Sequence, residues 1–388
     1  MKITNIEPIV VHARDPIKGL RNEKNIGGYA GYNVLVHIET DEGLEGWGEC
    51  CPGGDLGEAA EAVRVIIRRS LAPRIVGENP TTYRKIWNQL YAAMEPYGRR
   101  GIGIFALSGI DTALLDITGR AYGVPISDLF GGRYRERIPL YASLLFDMDD
   151  PHKTAEKGLE YVKKGYRGVK FGWGLIPSKA FGKDPEKDEQ IVRVIRETIG
   201  AEPLLMIDVG RYVNWSVAEA IQMAQRLAKY DIFWLEEPLP RDDLDAYAKL
   251  AASVDTTIAA GEGYQTIFDF KEIMDRKAVD LIQPDVAKVG GLSEAKRIVE
   301  LAHVRNVPWV PHNWSTSINT AASLQLVASS PDAFLLEFKE EPNPLMHGLS
   351  KQELEVTKGE MIIPSRPGLG FDIEISNVMR FEVRNRNK

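Results

Sequence analysis

Cysteine is scarce in this chain, and long apolar runs are absent. The only two cysteines, Cys50 and Cys51, are adjacent, so they form neither a disulfide framework nor a Cys-x-x-Cys metal or redox pair. No stretch approaches the roughly 18 consecutive apolar residues of a membrane span. The first residues carry charges and no small-residue cleavage site. These absences predict a cytoplasmic protein with reduced thiols, no signal peptide and no transmembrane segment.

An excess of positive charge is also absent. The chain has 48 Lys and Arg residues against 55 Asp and Glu residues, which gives a formal net charge of −7. This balance disfavours a surface for nucleic acid or for an anionic membrane. If the substrate is itself a small anion, a metal cation and local Lys or Arg side chains must overcome the negative background.

The spacing of apolar residues changes twice along the chain. Residues 1 to about 50 alternate as β-strands, and residues from about 57 to 130 repeat at helical spacing. After Gly131-Gly132, short apolar strands alternate with amphipathic helices as far as about residue 338. We place the ends of eight strands near Ser143, Lys170, Asp208, Glu236, Glu262, Asp285, His312 and Glu337. Eight such units favour a (β/α)8-type barrel over a doubly wound sheet.

The length of the chain indicates more than one domain, because 388 residues exceed what a single core usually supports. We predict an α+β capping domain in residues 1–130 and the barrel in residues 131–350. A C-terminal segment, residues 351–388, is predicted to return to the capping domain.

Three acidic residues, Asp208, Glu236 and Glu262, each close a short apolar run that reads as a buried strand. A carboxylate at the carboxyl end of such a strand faces the ligand-binding rim of a barrel. Three oxygen ligands from neighbouring strands suit Mg²⁺. Any one of these acids alone would be read as a solvated residue, but three in succession predict a metal site.

Four further residues end barrel strands. Lys170 is placed to hold a substrate carboxylate or to move a proton, although an isolated lysine there often only extends into solvent. Asp285 and His312 end successive strands, close enough for the carboxylate to orient the imidazole as a general base. A histidine bonded to a backbone carbonyl is the alternative. Glu337 is a second acid or a hydrogen-bonding group, unless it is simply solvated.

These stretches together resemble the enolase superfamily, in its mandelate racemase-like branch, over essentially the whole chain. The resemblance is carried by Ser108-Gly-Ile-Asp-Thr-Ala-Leu-Leu-Asp, Leu129-Phe-Gly-Gly, Val169-Lys170, Met206-Ile-Asp208, Trp234-Leu-Glu236-Glu-Pro, Gly261-Glu262, Gln283-Pro-Asp285 with Gly290-Gly-Leu, Pro311-His312 and Leu336-Glu337. It implies a modified barrel with a cap made from both termini and Mg²⁺ on Asp208, Glu236 and Glu262. It also implies His312 as base with Asp285 as its partner, and Glu337 as a hydrogen-bonding group near the substrate carboxylate.

The resemblance assigns the metal-ligand role to Glu236 and not to Glu237, which strand alternation is expected to turn away from the ion.

Gly101-Ile-Gly-Ile-Phe-Ala matches a dinucleotide fingerprint in letters only, because no strand precedes it. Trp173 and Phe181, in an enlarged loop after the second strand, either cover the substrate or pack beneath the loop.

Two departures from the family pattern bear on the reaction. Many relatives carry Lys-x-Lys on the second strand, where the second lysine faces the substrate opposite the histidine. Here Gly172 stands at that second position, which counts against racemisation. Gly210 stands where some relatives have an asparagine, which leaves substrate contacts there in doubt.

The function predicted from these residues is Mg²⁺-dependent dehydration of a sugar acid, an aldonate or an aldarate, to a 2-keto-3-deoxy acid. One alternative is a racemase or epimerase in which Lys170 serves the opposite face. A catalytically silent homologue with a binding role is another. We expect a small anionic carboxylate as substrate and a homo-oligomer. The choice of sugar acid is expected to depend on a loop near residues 17–31, the segment after Cys51 and the enlarged loop.

Overall fold

The computed structural model describes residues 1–383 except 14–30, 55–56, 175, 211, 340–342 and 351. Nearly all of the loop near residues 17–31, which was expected to influence substrate choice, lies outside the described residues.

The first part of the chain forms a three-stranded antiparallel sheet covered by helices. The strands are β1 (Ile3–Val11), β2 (Asn33–Thr40) and β3 (Glu45–Cys50), in that order across the sheet. The helices are α1 (Glu58–Ile66) and α2 (Ala72–Ile75), joined by a π-helical turn (Ile67–Leu71), then a 3₁₀ turn (Pro80–Thr82), α3 (Tyr83–Ala93), α4 (Ile102–Tyr122) and α5 (Ile126–Leu129).

Helix α4 is the core helix of this part of the molecule. Every residue from Gly103 to Gly119 is buried except Phe105, which is partly buried. The helix packs closely on β3, where a side chain at Gly48 would overlap the carbonyl oxygen of Gly109. Among the described residues, α4 alone is long and apolar enough to cross a membrane. However, 89% of its apolar 18-residue stretch is buried, as in the core helix of a folded domain. The predicted cytoplasmic location stays a prediction.

The second part of the chain is a barrel of mostly parallel strands. Its strands are β4 (Arg137–Leu145), β5 (Gly168–Gly172), β6 (Leu204–Asp208), β7 (Ile232–Glu236), β8 (Ile258–Ala260), β9 (Leu281–Ile282) and β10 (Leu336–Phe338). The seventh position is held by an extended segment at Trp309, bridged to Ile282. Because β10 pairs in parallel with β4, the last strand meets the first. The predicted (β/α)8-type barrel with an α+β cap is the observed architecture.

Helices follow the barrel strands and cover them on the outside. They are α6 (Pro151–Lys163), a 3₁₀ turn (Pro177–Lys179), α7 (Pro185–Ile199), α8 (Val217–Leu227) with a 3₁₀ turn (Ala228–Tyr230), α9 (Leu244–Ala251), α10 (Thr266–Asp275), α11 (Leu292–Val304) and α12 (Ser317–Ala328). Side chains that point inward fill the barrel: Tyr141, Met206, Trp234, Ala259, Leu281, Val310 and Leu335. The barrel is therefore a packed core whose ligand site lies at its rim.

The last part of the chain contacts both preceding parts. It contains α13 (Pro344–His347), β11 (Val356–Thr357), β12 (Glu360–Ile362) and α14 (Ile375–Phe381). Strand β12 pairs antiparallel with β4, whereas the N–H of Val383 donates to the carbonyl of Val10. The division at residues 130 and 350 stays a prediction.

Two of the sequence motifs join the cap to the barrel. Asp111 on α4 accepts hydrogen bonds from the backbone N–H and the hydroxyl of Ser293, at 2.7 and 2.6 Å. The hydroxyl of Ser108 accepts from the N–H of Gly290 at 2.9 Å. The Ser108–Asp116 motif and the Gly290-Gly-Leu motif are therefore two halves of one interface.

Candidate active site

A cavity of about 320 Å³ opens at the carboxyl ends of the barrel strands, within the size range of small-molecule sites. The cap contributes part of its wall, including Tyr32, Cys51 and Phe105. The barrel contributes most of the charged residues: Lys170, Asp208, Glu237, Arg241, Glu262, Lys288, His312, Glu337 and Lys339. Cap and barrel together thus form a site lined by many charged side chains.

The three predicted metal ligands lie on neighbouring strands. Asp208 and Glu236 are paired residues at the ends of β6 and β7, and Glu262 follows β8 by two residues. The indole N–H of Trp173 donates to Oδ2 of Asp208 at 3.0 Å. Oε1 of Glu236 accepts from Nζ of Lys170 at 2.6 Å. All three carboxylates therefore belong to the carboxyl ends of neighbouring strands on one side of the barrel rim.

Hydrogen-bond donors hold these carboxylates in the arrangement that the structure shows. No group of three or more His, Cys, Asp or Glu side chains within the described part of the chain is close enough together to hold a metal ion. These three residues nevertheless suit Mg²⁺ as ligands, because they offer only carboxylate oxygens. Burial, and then the negative charge of Glu236, raise the pKa of Asp208 well above its usual value, and a bound cation would relieve this repulsion.

The structure places Glu237 in the wall of the cavity, whereas its expected turn away from the metal ion stays a prediction. Strand β7 ends at Glu236, and Glu237 has a left-handed backbone with φ of 42°, so strand alternation does not extend to it. The Glu237 carboxylate lines the cavity and accepts from Nε of Arg241 at 2.8 Å. Glu236 is only 1% exposed and also accepts from the side-chain amide of Gln283. The assignment of the ligand role to Glu236 stays a prediction.

The pair of Asp285 and His312 forms as the sequence predicts. Nδ1 of the imidazole lies 2.6 Å from Oδ2 of Asp285, and Nε2 lies 2.8 Å from Oε2 of Glu262. Burial and Lys288 lower the pKa of His312, but Glu262, Glu337 and Asp285 outweigh them and raise it to about 10. In this arrangement the imidazole is a cation bonded on both sides. A base role requires Nε2 to be released from Glu262 and to lose its proton.

Lys170 and Glu337 lie beside this pair. Nζ of Lys170 is 3.0 Å from Oε1 of Glu337, which also accepts from the Ser143 hydroxyl at 2.6 Å. The backbone N–H of Asn313 donates to Oε2 of Glu337 at 2.8 Å. Glu337 is thus fully buried and held in place from three sides, which excludes the solvated-acid alternative.

Sequence reasoning missed three cations that line the cavity, namely Arg241, Lys288 and Lys339. Arg241 bridges Glu237 and Glu262, and Lys288 lies 3.7 Å from Asp285 and 3.9 Å from Glu262. None of these residues ends a strand, so the strand-end pattern could not single them out. Lys288 follows Asp285 by three residues, and that spacing was the available signal.

The two aromatic residues in the enlarged loop after β5 occupy different environments. Trp173 lines the cavity with a left-handed backbone, φ 39°, and its indole fills the space where a side chain at Gly210 would lie. Phe181 is fully buried and stacks on Phe146 with ring centroids 4.8 Å apart. Trp173 is therefore at the site, whereas Phe181 packs beneath the loop.

Two family models cover most of the chain. Residues 28–131 match the N-terminal domain of mandelate racemase and muconate lactonizing enzyme, and residues 153–377 match the enolase C-terminal domain-like family. The chain belongs to the enolase superfamily, in its mandelate racemase-like branch and of the acid-sugar dehydratase type. It is an enzyme of that superfamily, and the relatives named as dehydratases agree with the predicted carbon–oxygen lyase class.

Individual relatives support the same placement. The chain is 35% identical to a D-galactarolactone cycloisomerase of Agrobacterium fabrum, over 90% of this chain and 91% of that protein. It is 34% identical to an arabinonate dehydratase of Saccharolobus solfataricus, over 88% of each. A racemase of Streptomyces coelicolor A3(2), solved with bound magnesium, is 25% identical with a TM-score of 0.85, over 98% of this chain and 100% of that one.

Proposed function

We propose that this enzyme is a Mg²⁺-dependent dehydratase of a sugar acid. It would remove the proton at C2, next to the carboxylate, and eliminate the C3 hydroxyl. The resulting enol tautomerises to a 2-keto-3-deoxy acid. The observation that carries this proposal is the Asp285–His312 pair at the cavity, opposite a second strand that ends with Gly172.

The asymmetry of the site favours elimination over racemisation, because racemisation needs acid–base groups on both faces of C2. His312 supplies one face. On the second strand, Gly172 stands where many relatives have the second lysine, and a Cβ there would lie 3.0 Å from Oδ2 of Asp208. Lys170 is already bonded to Glu236 and Glu337, which suits a group that holds a carboxylate.

Each residue has a defined task in this proposal. Nε2 of His312, once released from Glu262 and deprotonated, accepts the C2 proton, while Asp285 fixes the imidazole tautomer through Nδ1. Lys170 binds the substrate carboxylate. The protonated imidazole then donates a proton to the departing C3 oxygen.

The metal site completes this division of tasks. Asp208, Glu236 and Glu262 would hold Mg²⁺, which when bound supplies Lewis-acid stabilisation of the enediolate. A histidine or lysine base beside Mg²⁺ is a recurring arrangement in enolase-superfamily sites, and the residues of this cavity are consistent with it.

A second candidate is cycloisomerisation, in which the leaving oxygen belongs to a ring of the substrate and no water is lost. It is favoured by the similarity to the D-galactarolactone cycloisomerase. The same base would remove the same proton, so the site chemistry alone serves both reactions. Only the fate of the oxygen distinguishes them.

The test is a panel of aldonates, aldarates and their lactones, incubated with purified enzyme and Mg²⁺ and analysed by mass spectrometry in H₂O and D₂O. A dehydratase yields a 2-keto acid lighter than the substrate by one water. A cycloisomerase yields a product of unchanged mass. Deuterium exchange at C2 with recovery of the other epimer would instead establish a racemase, and a panel without any reaction would contradict the proposal.

A further inference from the structure

A buried lysine outside the predicted catalytic set lies in the wall of the cavity. Lys339 follows β10 by one residue, is only 4% exposed and lines the cavity together with Trp314. Its Nζ lies 4.4 Å from the centre of the Trp314 ring. A lysine that lines a ligand cavity can donate a charge-assisted hydrogen bond to an anionic group of the ligand.

Lys339 and Trp314 continue an arrangement that begins deeper in the site. His312 and Glu337 end adjacent barrel positions, with Nε2 and Oε2 4.0 Å apart. Trp314 and Lys339 are each two residues further along the same two segments. Along β10, two residues of strand advance by roughly 6–7 Å, so Lys339 lies further towards the carboxyl end of the strand than Glu337. Trp314 and Lys339 both line the cavity.

The position of Lys339 suits the far end of a substrate. Lys170, which we assign to the reacting carboxylate, lies beside Glu337 at the inner level. A chain that extends outward from Lys170 along β10 would meet Lys339. Burial lowers the pKa of Lys339 to about 7, although Glu337 opposes this, and an anion bound beside the amine would favour its charged form.

We propose that Lys339, lying against Trp314, binds a second carboxylate at the distal end of the substrate, so that the substrate class is the aldarates and not the aldonates. This inference rests on the proposed function for the reaction, but the binding that it describes does not require turnover. A terminal hydroxymethyl group could accept a hydrogen bond from the ammonium but carries no negative charge to pair with it.

The experiment compares six-carbon aldarates with the aldonates that share their configuration at C2 to C5. Wild-type enzyme, Lys339→Met and Lys339→Arg are assayed with Mg²⁺, and binding is measured separately by calorimetry. Lys157→Met is the matched control, since Lys157 is close enough to influence Lys339 electrostatically but does not line the cavity. Thermal unfolding of every variant checks the fold.

We expect the wild type to prefer the aldarate of a pair. Lys339→Met should lower kcat/KM and affinity for the aldarate about 10- to 100-fold, the size of a lost hydrogen bond to a charged group, with less than a threefold change for the aldonate. Lys339→Arg should retain part of the preference, and Lys157→Met should keep it. Equal losses on both substrates, or a wild type that prefers the aldonate, would overturn the inference.

Failure of the reaction and failure of the subsite give different results. If no acid on the panel reacts but aldarates bind in a Lys339-dependent manner, the proposed function is wrong and the subsite stands. If dehydration occurs without any dependence on Lys339, the subsite is wrong and the function stands. If no aldarate on the panel binds at all, the subsite is also wrong.

Discussion

At the scale of single residues, the site shows carboxylates whose oxygens are shared among several donors. Glu262 illustrates this, because it contacts His312, Arg241 and, more distantly, Lys288. Although burial raises its pKa, Lys288 and His312 hold it well below the usual value. A cation bound to the same acid would compete with these donors for its two oxygens. Metal binding and release of the histidine are therefore linked in the proposed mechanism.

Charge removal at the proposed metal ligands tests that assignment. Asp208→Asn, Glu236→Gln and Glu262→Gln should each abolish turnover while the fold persists, since each residue lies at the rim and loses one anionic oxygen ligand. Turnover and circular dichroism are the measurements. Glu237→Gln is the informative comparison, because Glu237 also lines the cavity. A dead Glu237→Gln variant beside a fully active Glu236→Gln variant would show that the ligand role was assigned to the wrong glutamate.

Proton exchange tests the catalytic pair. His312→Asn should remove both dehydration and C2-proton exchange, with a loss of roughly 10²–10⁴-fold or more, because the base on that face is gone. Asp285→Asn should give an intermediate defect, since the imidazole tautomer is no longer fixed. Lys170→Ala should mainly weaken productive binding. The measurement is loss of the C2 proton in D₂O, and wild-type exchange by the His312→Asn protein would identify a different base.

At the scale of elements, the sequence predicted most of the strand ends within a few residues. The helical spacing between about residues 57 and 130 includes α4, which runs from Ile102 to Tyr122. The π-helical turn after α1 and the antiparallel pairing of β12 with β4 depend on tertiary packing, and apolar periodicity does not encode them. The left-handed backbone of Trp173 could not be predicted from the sequence either. The space for its indole is left by Gly210, which is 37 residues further along the chain.

The interface between α4 and α11 makes a prediction about pH. Burial raises the pKa of Asp111 to about 7, although the hydrogen bonds from Ser293 and the charge of Arg84 lower it. The folded protein therefore retains a proton that the unfolded chain releases near pH 4, so stability falls as pH rises from about 4 to 7. Asp111→Asn removes this dependence. Between pH 5 and pH 8, the free energy of unfolding measured in urea should fall more for wild type than for Asp111→Asn, by on the order of a few kcal/mol.

The comparison is informative because an asparagine can still accept from Ser293 through its carbonyl oxygen. Ser293→Ala serves as the contrasting variant: it removes the hydroxyl that donates to Asp111 and should destabilise the protein at both pH values. If wild type and Asp111→Asn lose stability equally between pH 5 and pH 8, Asp111 is ionised in the folded protein and the prediction is wrong.

At the scale of the whole molecule, the site belongs to neither part of the chain alone. The barrel supplies the acids, the base and the cations, whereas Tyr32, Cys51 and Phe105 of the cap complete the wall. Burial raises the pKa of Cys51 to about 12, so this residue is a wall of the cavity and not a reactive thiol near neutral pH. The order of the strand-end residues could be read from the sequence, but the cap contribution required the folded chain.

Metal binding should stabilise the whole folded molecule. A ligand that binds only the folded state stabilises it by about 2.7 kcal/mol at 100 times its Kd, so Mg²⁺ should raise the midpoint of thermal unfolding in a concentration-dependent way. Asp208→Asn should lose most of this response for two reasons. The variant has one anionic ligand fewer for Mg²⁺, and it has less repulsion among buried carboxylates for the cation to relieve. Na⁺ at equal ionic strength controls for screening. An equal rise in both proteins would mean that Mg²⁺ binds elsewhere or acts only through ionic strength, and it would remove the metal site from the mechanism.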